Sequence, residues 1–122
     1  MEKLGLTEET LVVYFSDNGP NTWRWNGGMA GIKGQCREGG VRSPCSITWP
    51  GHIPAGLVVN EPTGVIDLLP TLAELAGVNV KAAKPLDGVS LSPLLTGTGA
   101  AALPERGLYA LETRGNGSAY GR

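Results

Sequence analysis

Leu11-Val12-Val13-Tyr14-Phe15 is an unbroken apolar run, rich in β-branched and aromatic residues, with Thr10 before it and Asp17-Asn18-Gly19-Pro20 after it. Such a run predicts a strand buried on both faces, as in a parallel sheet. Cys45-Ser46-Ile47-Thr48-Trp49, closed by Pro50-Gly51, predicts a second strand, and Leu108-Tyr109-Ala110-Leu111-Glu112 a weaker third. From Thr63 to Gly77 the apolar spacing changes to a helical period. Val65, Leu69, Leu72 and Ala76 fall on one stripe, which Leu68 and Leu75 widen. Thr63 can cap this helix, Asp67 sits where the helix dipole favours an acid, and Gly77 ends it. Pro70 predicts either a kink or a later start. Leu4 to Glu9 reads as the end of a helix followed by a turn. Asp87-Gly88 reads as a turn, Ser90 to Leu95 as a short helix, and Thr96 to Ala102 as a surface loop.

Between Ser16 and Pro44 there is neither a helical nor a strand period. A structureless connection longer than about 12–15 residues is uncommon in a compact domain unless it is functional or disordered. This one carries Trp23, Trp25, Met29 and Ile32, too much apolar material for a linker, so it reads as a functional loop. Nineteen glycines and nine prolines in 122 residues fall just below the roughly 25–30% that suggests disorder. Interrupted by strong apolar segments, they point to an ordered chain with tight, irregular backbone. The organisation is one partial α/β domain over 1–122. It has a candidate metal motif at 16–20, a lysine loop at 21–44, a strand at 45–49, a helix at about 64–77 and a C-terminal linker at about 96–122. Two or three strands and one good helix make a thin core for this length.

Ten Lys and Arg balance eleven Asp and Glu. That is no footprint for nucleic acid, which needs clustered positive charge. No apolar run approaches the roughly 20 residues of a membrane span. Two cysteines are too few for a disulfide scaffold; separate thiols at Cys36 and Cys45 are favoured over a bridge.

The candidate chemistry lies at the end of the first strand, where open parallel sheets place their ligands. Asp17 beside Asn18 offers two hard oxygen donors suited to calcium or magnesium. An ordinary turn explains Asp-Asn-Gly equally directly and is the stronger local reading. Lys33, between Gly31 and Gly34, can present a point charge to an anion; a solvated surface lysine is the bland alternative. Glu38 and Arg42 read as an ion pair that holds the loop. His52, the single histidine, reads as a surface residue, and with two distant cysteines it makes no zinc site.

In combination these segments resemble the sulfatase family. Residues Thr10 to Pro20 resemble its strand-plus-metal motif. Lys33-Gly34, Glu38-Gly39-Gly40-Val41-Arg42-Ser43-Pro44 and Trp49-Pro50-Gly51-His52-Ile53 are similar to the stretch that follows it. Ile66 to Gly77 and Leu86 to Leu91 continue the match in order, over roughly residues 4 to 112. The resemblance implies an α/β fold, part of an alkaline-phosphatase-like sandwich with a mostly parallel central sheet. It implies Asp17 and Asn18 as ligands of a divalent cation, usually Ca2+ with Mg2+ as the alternative, and Lys33 as a catalytic residue contacting the sulfate. The implied substrate is a small-molecule or carbohydrate sulfate ester. The family's nucleophile is a formylglycine made within Cys/Ser-x-Pro/Ala-x-Arg. No such motif occurs here, since Cys36 precedes Arg37-Glu38-Gly39 and Cys45 precedes Ser46-Ile47-Thr48. The resemblance therefore places the nucleophile and the remaining metal carboxylates upstream of this segment, which alone would be inactive. Ala30 stands where many relatives carry a second lysine. A stand-alone binding module and a phosphate or phosphonate ester hydrolase of the same superfamily are the competing functions. Family members are commonly periplasmic, secreted or lysosomal, whereas Met1-Glu2-Lys3 opens no signal-peptide pattern; localisation and oligomeric state stay open.

Overall fold

The structure is a computed structural model of the chain. It describes residues 1–97, 103–114 and 118–121, with the two strands nearest the C-terminus described by their backbone. The predicted loop at Thr96 to Ala102 lies mostly outside the described residues. Two compact units are formed: Met1–Val12 with Thr48–Leu108, and Val13–Ile47 with Tyr109–Arg122.

The apolar run forms strand β1 (Val12–Phe15), hydrogen-bonded to β2 (Cys45–Thr48) in a two-stranded sheet, all but the Val12 and Thr48 ends falling in the second unit. Both strands form where the β-branched and aromatic residues predict them. Their burial differs from the expectation: Tyr14 is 70% exposed and Phe15 43%, because nothing among the described residues covers those side chains. A further pair, β3 (Leu111–Arg114) and β4 (Ser118–Gly121), is antiparallel, with Leu111 opposite Gly121 and Arg114 opposite Ser118. The sheets among the described residues are these two pairs, so the mostly parallel central sheet is not among them. The long loop holds one short helix, α1 (Glu38–Val41). Its two glycines each cost about 1 kcal/mol relative to Ala, so it owes its existence to packing.

In the first unit, Glu2–Leu4 forms a 3-10 turn closed by Gly5 at φ 67°, in place of the predicted helix end. The predicted helix divides into a 3-10 turn at Val65–Asp67 and α2 (Leu68–Leu75). Pro70 explains the late start. It occupies the first turn of α2, where an N–H has no intrahelical partner and its absence costs nothing. The predicted apolar stripe does not face a core, with Val65 65% and Leu69 54% exposed. The buried residues here are instead Asp67 and Thr71, together with Leu91 and, within α3 (Ser92–Thr96), Ser92 and Leu95. Gly97, at φ 69°, ends α3. Trp49 donates its indole N–H to the Glu8 carbonyl at 2.6 Å and stacks on His52 with ring centres 3.9 Å apart.

Candidate functional site

Strand β1 delivers the chain into Ser16-Asp17-Asn18-Gly19-Pro20, and hydrogen bonds fix the turn that follows. The Ser16 amide donates to Pro44 O at 3.3 Å, beside the start of β2. The Ser16 hydroxyl donates to Asn18 O at 3.0 Å, and the Ser43 hydroxyl donates to Ser16 O at 2.6 Å. The Gly19 amide donates to Gly40 O at 2.9 Å, and the Lys33 amide to Pro20 O at 2.9 Å. The lysine loop is thus attached by its backbone two residues beyond Asn18. The Asp17 and Lys33 side chains are exposed and Asn18 is half-buried.

The attachment depends on backbone packed against backbone. A Cβ on Gly19 would overlap the Gly39 carbonyl oxygen and lie 3.0 Å from Gly40 Cα. On the other side of α1, a Cβ on Gly39 would lie 2.5 Å from Gly31 O and 2.8 Å from Ala30 O. One on Gly40 would overlap Gln35 O and lie 2.6 Å from Ile32 O. Real Cβ contacts are not that short, so three layers of chain meet here backbone on backbone, with the Asn26 amide also close against Gly39. Asn26 straps the lysine loop, donating from Nδ2 to Met29 O at 2.9 Å and to Gly31 O at 3.3 Å. Gln35 Oε1 accepts from Ile32 N at 3.3 Å. Glu38 and Arg42 form the predicted ion pair at 2.9 Å, one helical turn apart and well exposed.

Sequence reasoning singled out Asp17, Asn18 and Lys33 but missed Asn26, Gln35 and Ser43. An Asn just ahead of a Gly-Gly pair is a turn signal that could have found Asn26. Nothing local marks Ser43, whose partner lies across the long loop. No disulfide joins Cys36 and Cys45. An open surface hollow is bordered by Trp23, Gln35, Arg37 and Glu38, but not by Asp17, Asn18 or Lys33, so it is not the place where the candidate residues gather.

Asp17 and Asn18 suit a divalent cation in kind, since a carboxylate and a carboxamide are hard oxygen donors. They are incomplete in number, because calcium takes about 6–8 oxygens. Among the described residues no group of three His, Cys, Asp or Glu side chains is placed to hold a metal. No helix among them is long and apolar enough to cross a membrane.

Comparison with known proteins agrees with this arrangement of segments. The sulfatase family profile matches residues 1–78. Human arylsulfatase A is 54% identical over 101 residues, which is 79% of this chain and 20% of that protein. Mouse steryl-sulfatase is 43% identical over 107 residues, 80% of this chain and 17% of that protein. The crystal structure of Ps i-CgsB superimposes with a TM-score of 0.82 at 35% identity, over 99% of this chain and 27% of that one. The chain belongs to the sulfatase family and has its α/β fold. It spans about a fifth of the length of the curated relatives it matches.

Proposed function

We propose that this chain is a segment of a sulfuric ester hydrolase, to which it contributes divalent-metal and sulfate-binding residues. One observation carries the reading: the backbone bonds from Gly19 to Gly40 and from Lys33 to Pro20 hold the Asp17–Asn18 turn and the lysine loop to one another. Asp17 and Asn18 would hold the cation, Ca2+ or Mg2+, together with oxygens from other polypeptide, water or substrate. A bound cation supplies Lewis-acid stabilisation of charge on sulfate oxygens. The Lys33 ammonium, on a backbone held to the turn at Pro20, would add a second positive group to stabilise charge on the same oxygens.

The substrate would be a small-molecule or carbohydrate sulfate ester, in keeping with the names arylsulfatase A, steryl-sulfatase and N-acetylgalactosamine-6-sulfatase among the relatives. The nucleophile would come from chain outside this segment, as would the remaining metal carboxylates. Two features support a larger assembly: the exposed side chains of β1 and α2, and the match to about a fifth of each relative. The mostly parallel central sheet of an alkaline-phosphatase-like sandwich would then cover β1.

The test is to read the coding frame upstream and assay the complete product. The expected result is a Cys/Ser-x-Pro/Ala-x-Arg motif and sulfate ester hydrolysis. Lys33→Ala should lower kcat by about 10²–10³, the loss typical of removing one charge-stabilising group. Lys33→Arg should restore little, because a planar fork does not replace a compact point charge. A complete upstream frame without the motif, or phosphate esters cleaved in preference to sulfate esters, would replace this reading.

A further inference from the structure

The glycine-on-glycine contact and the Ser43 bond offer a role beyond holding the loop closed. The turn bearing Asp17 and Asn18 is fixed at both ends by hydrogen bonds. At one end the Ser43 hydroxyl donates to the Ser16 carbonyl, the residue just before Asp17. At the other end Gly19, the residue just after Asn18, donates its amide to Gly40 and lies flat on Gly39–Gly40. Gly40 in turn lies against the Ile32 and Gln35 carbonyls that flank Lys33. A single layer, α1, therefore packs against both the donor turn and the lysine loop, beside the direct bond from Lys33 N to Pro20 O.

We infer that Gly19, Gly39, Gly40 and Ser43 are positioning residues that set the placement of the Asp17 and Asn18 oxygens relative to Lys33, and so tune cation affinity. The inference rests on the metal-binding reading given above. A methyl group at Gly19 would collide with backbone, which has no side-chain torsion through which to yield, so the turn itself must lift. Loss of the Ser43 hydroxyl releases the same turn from its other end without adding bulk. Two changes of opposite steric character are therefore expected to have the same effect on metal affinity, which a general loss of packing would not produce. Groups that orient a ligand from behind typically alter metal affinity by about 10–100-fold.

The experiment uses the product of the complete reading frame, stripped of metal and titrated with Ca2+ by calorimetry, beside melting of the metal-free form. Gly19→Ala and Ser43→Ala are expected to weaken Ca2+ binding by roughly tenfold or more, while the metal-free Ser43→Ala protein melts close to the wild type. Ser43→Thr, which keeps the hydroxyl, is expected to restore affinity. Unchanged Ca2+ affinity in Ser43→Ala would overturn the inference, as would a loss that Ser43→Thr fails to restore. If Gly19→Ala does not fold, the Ser43 pair decides. A wild-type protein that binds Ca2+ no differently from Asp17→Ala would remove the metal-binding reading itself, a separate outcome from the positioning result.

Discussion

Asp67 is fully buried beside the guanidinium of Arg106, which bonds both its carboxylate oxygens at 2.5 Å. The same carboxylate accepts from Gly64 N and Val89 N, each at 2.9 Å. Burial pushes its carboxyl up, but the Arg106 bond and the two backbone bonds outweigh that and hold it below the ordinary range. A carboxyl lowered by folding stabilises the folded state above its unfolded value of about 3.9. That contribution is lost as pH falls through the lower folded value. The Val89 amide is therefore expected to stay protected from hydrogen exchange at neutral pH and to lose protection only below about pH 4. Asp67→Ala would leave a largely buried guanidinium unpaired and should cost about 3–5 kcal/mol of unfolding free energy, measured by urea titration. By contrast, Arg42→Ala breaks an exposed pair and should cost at most about 1 kcal/mol. A cost for Arg42→Ala equal to that for Asp67→Ala would show that burial is not the deciding variable.

The elements show which patterns were legible. Apolar runs gave β1 and β2 to within a residue or two, because β-branched and aromatic residues fit a pleated surface. The helical period located α2, and Pro70 correctly implied a later start. What the period could not supply was the direction of burial. Thr71 is fully buried; it donates to Asp67 O at 2.5 Å and accepts from Leu91 N at 2.9 Å. The first is a contact one turn back and the second reaches chain twenty residues on; both are polar, and hydrophobicity counts do not anticipate them. Helix α1 was illegible for the opposite reason, since Gly-Gly has poor helix propensity and only the backbone contacts of Gly19, Ala30 and Gln35 explain it. The Asp17–Asn18 turn and the lysine loop stand out in the sequence, while the glycine layer packed against both does not, because a glycine's reason for being small lies in its neighbour. Thr71→Val tests the polar reading of α2. It keeps the volume, leaves the Leu91 amide unsatisfied, and should cost about 1–3 kcal/mol, with faster exchange at Leu91 than at Ala76, whose amide bonds within the helix turn. Equal exchange at both amides would place the stability of α2 in its apolar stripe.

At the scale of the whole chain, the open faces and the donor count lead to the same expectation. Tyr14 and Trp23 in one unit and Leu69 in the other stand out in solvent, and large exposed apolar side chains are surface that a partner or further chain can cover. The donor count is independent of that observation. Asp17 and Asn18 can supply two or three of the about 6–8 oxygens that calcium requires, and water must supply the rest when this chain is alone. Attraction between the exposed Asp17 carboxylate and a cation is weakened by the high dielectric of water. The 122-residue chain is therefore expected to bind Ca2+ no more tightly than weak extracellular sites, with Kd of about 10⁻³ M or above. The product of the complete frame should bind far more tightly and lose that affinity on Asp17→Ala. Calorimetric titration of both proteins decides the matter. Tight binding by the short chain, combined with cooperative unfolding, would mean that the described residues form a complete site, and would favour a self-sufficient binding module over a contributor to a hydrolase.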